Sequence, residues 1–140
     1  MGIYHKIMVT LDCSPVDIAI VDHVVLLAKS ENSTVVLTHV VHSHTLDQNR
    51  ILLEKAKKGI EKYKKIFLAA GIPVEICLLS GEPEKELEKE IKANHYDLVA
   101  MATHGHKALS DILYGSVSGY LKHHISIPIL LIHGARENDE

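Results

Sequence analysis

Several features that mark particular classes of protein are scarce or missing in this chain of 140 residues. It has no tryptophan, and its two cysteines, Cys13 and Cys77, are too few for a disulfide framework. No apolar run approaches the roughly 18 residues of a membrane span. The opening residues 1–6 lack the charged-then-apolar order of a signal peptide. We therefore expect a cytoplasmic protein with two free thiols and no membrane association.

The chain also lacks an excess of positive charge. Its 15 basic and 18 acidic residues give a formal net charge of -3, which disfavours a general nucleic-acid binder. It has no P-loop lysine motif and no nucleophile elbow. Its 11 histidines include the pairs His42/His44 and His104/His106, but neither pair has a cysteine or carboxylate at recognised metal-ligand spacing. The sequence thus gives no visible catalytic constellation and disfavours a transition-metal site.

Short β-branched runs alternate with amphipathic stretches along the chain. Such runs are typical of strands buried on both faces, and alternation with helices predicts a parallel sheet. The predicted strands are 7–11, 35–41, 74–79, 98–101 and 127–132, and the predicted helices are 15–30, 46–70, 83–94 and 116–124. We expect an α/β fold: one Rossmann-like domain over residues 1–134, with an open five-stranded parallel sheet covered by helices on both faces. Residues 135–140 form a polar tail.

Two details of this arrangement, the place of the fifth strand and the apolar stripe of the first helix, are predicted from particular residues. Proline is tolerated at a strand start or on an edge strand, so Pro128 places the fifth strand at a sheet edge. In the first helix, Ile18, Val21, Val25 and Ala28 recur at helical spacing, with Val24 beside them, and predict one apolar stripe.

Helix N-termini at the carboxyl edge of such a sheet are candidate anion sites. At the first helix, Ser14 is the expected N-cap, Pro15 suits the first helical position, and Asp17 lies three residues after the cap, as in a capping box. Phosphate would be repelled by Asp12 and Asp17, so Asp12 suits sugar hydroxyls better. The third helix carries three glutamates in its first turn, at 82, 84 and 86, and is excluded as a phosphate site.

The approach to the fourth helix is different. Between residues 102 and 118 the only acid is Asp111, which precedes the expected helix start. Gly115, Ser116 and Ser118 offer close backbone access and hydroxyl donors. One helix dipole contributes only ~0.3–1 kcal/mol to anion binding, so several amides and hydroxyls must act together. This helix start is the best phosphate candidate in the chain.

The sequence from Lys6 to His133 resembles the universal stress protein family. The residues that carry the resemblance are the first strand running into Leu11-Asp12-Cys13-Ser14, Leu37-Thr38-His39-Val40, Gly81-Glu82-Pro83, Asp97 to Gly105, and Gly115-Ser116-Val117-Ser118. The nucleotide-binding branch of the family has Gly, two residues, Gly, nine residues, then Gly and Ser or Thr. Gly105, Gly115 and Ser116 match this pattern, whereas Ala102 replaces its first glycine. Cys13 replaces a glycine often found after the first-strand aspartate, in a turn that we expect to accept other residues.

The resemblance implies a fold like that of the adenine-nucleotide alpha hydrolases and binding of ATP or another adenine nucleotide, with Mg²⁺ bridging its phosphates. It places Asp12 at the ribose or adenine side, the Val40 backbone at adenine, and Met101 and Ala102 beside the sugar. The residues around the phosphates would be His104, Gly105, Gly115, Ser116, Val117 and Ser118. It also implies a homodimer, paired through the last strand, Ile129 to Ile132, where pairing would cover free hydrogen-bonding groups.

Three functions stay open at this point. The first is an adenine-nucleotide-binding stress-response module, acting as a dimer, with slow hydrolysis at most and an unidentified protein partner that senses occupancy. The second is a nucleotide-independent dimeric interaction protein, which Ala102 favours. The third is an enzyme that transfers adenylate or phosphate, for which fold analogy is the only support.

Overall fold

Five parallel strands and the helices between them follow the chain order that the sequence predicts. The computed structural model describes residues 2–42, 45–103 and 117–133. Its strands are β1 (Lys6–Thr10), β2 (Thr34–Val41), β3 (Val74–Ser80), β4 (Leu98–Thr103) and β5 (Ile129–His133). Its helices are α1 (Asp17–Glu31), α2 (Leu46–Ala69) and α3 (Pro83–Ala93), and residues 117–124 are also helical and are called α4 below.

The strands form one sheet in the order β3-β2-β1-β4-β5, and every neighbouring pair is parallel. The winding direction reverses at β1, because β2 lies on one side of it and β4 on the other. The fifth strand lies at an edge, as Pro128 predicts. The prediction of a five-stranded parallel α/β sheet is therefore confirmed.

Each face of the sheet carries its own hydrophobic core. On one face, Ile7 and Val9 of β1 pack with Val21 and Val24 of α1 and with Phe67 of α2. On the other, Met8 of β1 packs with residues of α3 and α4, which are Leu87, Ile91, Val117 and Leu121. Successive side chains of a strand point to opposite faces, so the position of a residue in its strand determines which pair of helices it meets.

The entry to α1 differs from the prediction at Ser14. The helix begins at Asp17, its N-cap position is Val16, and no side chain caps it. The amides of Asp17, Ile18 and Ala19 instead bond to carbonyls three residues earlier, which makes a tight turn before the helix. The Ser14 hydroxyl oxygen is buried and has no hydrogen-bond partner among the described residues. The predicted Ser14 cap is therefore wrong, because this turn already occupies the first helical amides.

Candidate ligand-binding site

The carboxyl ends of β1, β2 and β4 surround a cavity at the point where the winding direction reverses. Ligands of open α/β sheets bind at this place, because adjacent connections leave the sheet on opposite faces and open a crevice. The cavity has a volume of about 150 Å³. Its lining residues within the described ranges are Thr10, Leu11, Asp12, Thr38, His39, Val40, Pro83, Leu87, Met101 and Val117.

Strand alternation determines which side of the sheet this cavity occupies. Met8 of β1 and Val36 of β2 belong to the core beneath α3 and α4, so Thr10 and Thr38, two residues further along each strand, face the same way. Thr10 and Thr38 are also direct neighbours in the parallel register. The sheet thus forms the floor of the cavity, and α3 and α4 form its opposite wall.

The floor holds two buried hydroxyl groups in a largely apolar setting. The Thr38 hydroxyl donates a long hydrogen bond of 3.4 Å to the carbonyl oxygen of Val36. Thr10 is only 5% exposed, and its hydroxyl oxygen has no hydrogen-bond partner in the described part of the chain. A buried polar atom without a partner is uncommon in a native fold and calls for an explanation.

Asp12 lies at the mouth of the cavity, in a turn held together by carboxylates. Its Oδ1 accepts a hydrogen bond of 3.0 Å from the amide of Ser14. The two carboxylate oxygens of Asp17 accept from the amides of Asp12, at 3.2 Å, and Cys13, at 2.8 Å. Asp17 is fully buried. Burial, and next the negative charge of Asp12, raises the pKa of the Asp17 carboxyl well above its usual range.

This pair of acids determines what the mouth of the cavity can accept. A phosphate placed beside Asp12 would be repelled, whereas a hydroxyl or amino group could donate to it. That Asp12 contacts the sugar or base end of a ligand stays a prediction.

Cys13 adopts a backbone conformation that favours glycine. Its φ is 64°, in the left-handed region, and it is one of two described non-glycine residues with positive φ, the other being Asn32. The turn therefore accepts a residue other than glycine only at a cost in backbone strain. Partial desolvation of the sulfur, and next the negative charges of Asp17 and Asp12, raise the pKa of the Cys13 thiol to about 11. The thiol is thus protonated at neutral pH and is a poor nucleophile.

His39 joins the cavity to a second hollow on the other side of β1 and β2. Its Nδ1 donates a hydrogen bond of 2.7 Å to the carbonyl oxygen of Leu11, which leaves Nε2 as an acceptor in the neutral ring. Asp12, His39 and Val40 line both spaces, and the second, of about 350 Å³, extends to Lys55 on α2. The site is therefore an apolar cavity that continues into a more polar groove.

The structure brings together four of the residues expected at the site. Asp12, Val40, Met101 and Val117 line one cavity. Ser118 lines a separate hollow beside Ile129 and Leu131 of β5. The other expected phosphate contacts, His104, Gly105, Gly115 and Ser116, lie outside the described residues.

Ala102 occupies a different environment from Met101. It is 1% exposed and packs in the core beneath α1 and α2, on the face opposite the cavity. It lies within β4 and does not have a positive φ. Its methyl group therefore causes no backbone strain of the kind that a lost glycine would bring, and it does not point into the cavity.

Polar contacts hold α4 against α3 beside the cavity. The Tyr120 hydroxyl donates a hydrogen bond of 2.6 Å to Glu88, and Lys92 donates to the same carboxylate at 2.6 Å. These bonds lower the pKa of Glu88. The ring of Tyr120 stacks on that of His124 at 3.9 Å. The position of α4, and of Val117 at the cavity wall, is thus supported by contacts outside the hydrophobic core.

Sequence reasoning does not single out Thr10, and it names Thr38 and His39 only in the run Leu37-Thr38-His39-Val40 that carries the family resemblance, without a role as lining residues. Threonine is common in strands, so a threonine in an apolar run gives no sign of a binding role. The available signal was their place in the strand, two residues after Met8 and after Val36, which puts both hydroxyls on one face near the carboxyl edge.

Two other functions find no support in the described ranges. Within 2–42, 45–103 and 117–133, no three histidine, cysteine or carboxylate side chains group together as a metal site would require. No helix in that part of the chain has the length and apolar character needed to cross a membrane.

Comparison with known proteins relates this chain to one family. The sequence profile described as the universal stress protein family matches residues 3–133. The universal stress protein MJ0531 of Methanocaldococcus jannaschii is 25% identical, over 94% of this chain and 83% of its own.

The structural comparisons agree. The solved structure of MJ0577, from the same organism, has a TM-score of 0.83 at 25% identity and covers 96% of this chain and 99% of its own. A universal stress protein from Archaeoglobus fulgidus, solved in complex with dAMP, has a TM-score of 0.70 at 19% identity, over 93% of this chain and 98% of its own. With the profile match over nearly the whole sequence, the chain belongs to the universal stress protein family.

Proposed function

We propose that this protein binds an adenine nucleotide, with the base in the cavity between the sheet and the α3–α4 wall. One observation carries the proposal: an apolar cavity lies at the reversal point of the sheet, with an acceptor carboxylate, Asp12, at its mouth. Structures with this fold have been solved in complex with cAMP, dAMP and AMP. They support the ligand class.

The size and lining of the cavity suit part of a nucleotide rather than the whole. Pockets that enclose a complete drug-sized ligand have volumes of ~300–1,000 Å³, whereas this cavity has about 150 Å³. Leu11, Leu87, Met101 and Val117 supply an apolar surface that suits a flat ring. We place the base there and the ribose near Asp12, where its hydroxyls can donate to the carboxylate.

The phosphates would then extend toward the segment that leads into α4. His104, Gly105, Gly115 and Ser116 are the residues that we propose for them, on the sequence pattern alone. ATP, with Mg²⁺ on its phosphates, is the proposed form of the ligand. The cation would neutralise phosphate charge, which reduces the repulsion from Asp12.

We propose a regulatory role in the stress response rather than rapid catalysis, in which the homodimer presents an occupied or an empty site to a partner protein. The dimer would form through β5, where Leu131 is 50% exposed on an edge strand. Backbone pairing between two copies would satisfy the outer hydrogen-bonding groups of this edge.

Calorimetric titration with AMP and with ATP plus Mg²⁺ tests the proposal. Val40 is a half-buried strand residue at the cavity, so Val40→Phe should fill the space and abolish binding. Val74→Phe is the matched control, because Val74 is also a half-buried strand valine. It lies at the amino end of β3, whereas the cavity lies at the carboxyl ends of the strands.

Nucleotide binding to the wild type and to Val74→Phe, with none to Val40→Phe, supports the proposed function. Absence of binding to the wild type, or equal affinity in both variants, refutes it.

A further inference from the structure

We infer that the hydroxyl of Thr10 makes a direct hydrogen bond to the base and is a binding residue for it, an inference that rests on the proposed function. The hydroxyl lies on the floor of the cavity, Thr10 is 5% exposed, and the oxygen has no partner in the described ranges.

The neighbours of Thr10 explain why a ligand, rather than the fold, would satisfy it. Its partner in the register is Thr38, whose hydroxyl already donates to its own strand, at Val36. The side chains opposite and beside it in the cavity are mostly apolar, among them Met101, Leu87 and Val117, and the Asp12 carboxylate lies at the mouth.

A buried hydroxyl without a hydrogen-bond partner destabilises the folded protein. A polar group buried without a partner loses its hydrogen bonds to water and gains none in return. Valine has nearly the same shape and an equally good β propensity, so the fold alone does not require threonine. A hydroxyl can both donate and accept, and the edge of adenine offers a ring-nitrogen acceptor beside an amino donor.

A matched pair of substitutions separates a ligand contact from a structural one. Thr10→Val removes the hydroxyl and keeps the shape, whereas Thr10→Ser keeps the hydroxyl. Two quantities are measured for each variant and for the wild type: the Kd for AMP by calorimetry, and the Tm of the ligand-free protein.

We expect Thr10→Val to weaken AMP binding about tenfold or more, which is the effect of losing one buried hydrogen bond. The Tm of ligand-free Thr10→Val should equal or exceed that of the wild type, because an unsatisfied group has been removed. Thr10→Ser should retain an AMP affinity within about threefold of the wild type, by the same reasoning.

Unchanged AMP affinity in Thr10→Val, with the wild type binding normally, overturns this inference and leaves the proposed function standing. A clear fall in the Tm of Thr10→Val also overturns it, since the hydroxyl would then have a structural partner. Absence of AMP binding to the wild type refutes the proposed function itself, and the role of Thr10 with it.

Discussion

Replacing Cys13 with glycine should stabilise the protein, although it removes a side chain. The backbone at Cys13 has a φ of 64°, and the residue is exposed, so little apolar burial is lost. The amide that donates to Asp17 at 2.8 Å is retained by glycine. The change therefore acts mainly on backbone strain.

The magnitude follows from two opposing effects. The left-handed backbone conformation destabilises a residue that has a Cβ by roughly 1–2 kcal/mol. Glycine loses about 0.5–1 kcal/mol more conformational entropy on folding than other residues do. The net expectation is an increase of about 0.5–1 kcal/mol in the free energy of unfolding.

Urea unfolding followed by circular dichroism measures this difference, with the midpoint and slope compared at equal protein concentration. Cys13→Ala is the matched control, because it removes the sulfur and keeps the Cβ. We expect alanine to leave stability close to that of the wild type, and glycine to raise it. Equal stability of the glycine and alanine variants would refute the strain argument.

Three further predictions concern Asp12, Ala102 and Leu131. Because the pKa of Asp17 is raised in the folded state, its contribution to stability is complete below its ordinary pKa of 3.8 and is lost as pH rises through the folded value. The wild type should therefore lose stability from about pH 4 upward, by at most ~1.4 kcal/mol per pH unit for one proton. Asp12→Asn should narrow the pH range of this loss in urea titrations, because Asp17 would then release its proton at a lower pH in the folded state. An unchanged pH range would show that the two acids do not interact. Ala102→Gly should leave AMP affinity unchanged in calorimetry but cost about 1 kcal/mol of stability, because the methyl group packs in the core away from the cavity; a large loss of affinity would contradict this placement. The proposed homodimer should dissociate to monomers in Leu131→Glu, as measured by sedimentation, since the change puts charge on the exposed edge strand. A wild-type monomer would contradict the proposed dimer, and a variant dimer as stable as the wild type would contradict its formation through β5.

The order and class of the elements could be predicted because each strand is a short β-branched run with a clear break at either end. Pro128 located an edge strand for a physical reason, the missing amide hydrogen. Ile18 shows where pattern reading fails. The predicted apolar stripe of α1 includes Ile18 and Val25, yet Ile18 is 41% exposed and Val25 is only half-buried. Ile20, which lies outside that stripe, is fully buried. Apolar residues stand on both sides of this helix, so spacing alone could not fix its rotation.

The candidate site could be predicted only where its residues carry a familiar pattern. Asp12 directly follows the first strand, and its place at the carboxyl edge follows from the fold. Ser14 looked like a helix cap, but whether its hydroxyl or a tight turn satisfies the first amides depends on the path of the backbone. Thr10 carries no pattern of its own, because its importance comes from the alternation of β1, its register with Thr38 and the lack of a partner.

A crystal structure of the protein grown with ATP and Mg²⁺ tests the central claim most directly. The account predicts electron density for the base against Val40 and Met101, beneath the α3–α4 wall, with Asp12 facing the ribose. Density for the nucleotide at another part of the surface, with this cavity closed by protein side chains, would contradict the account.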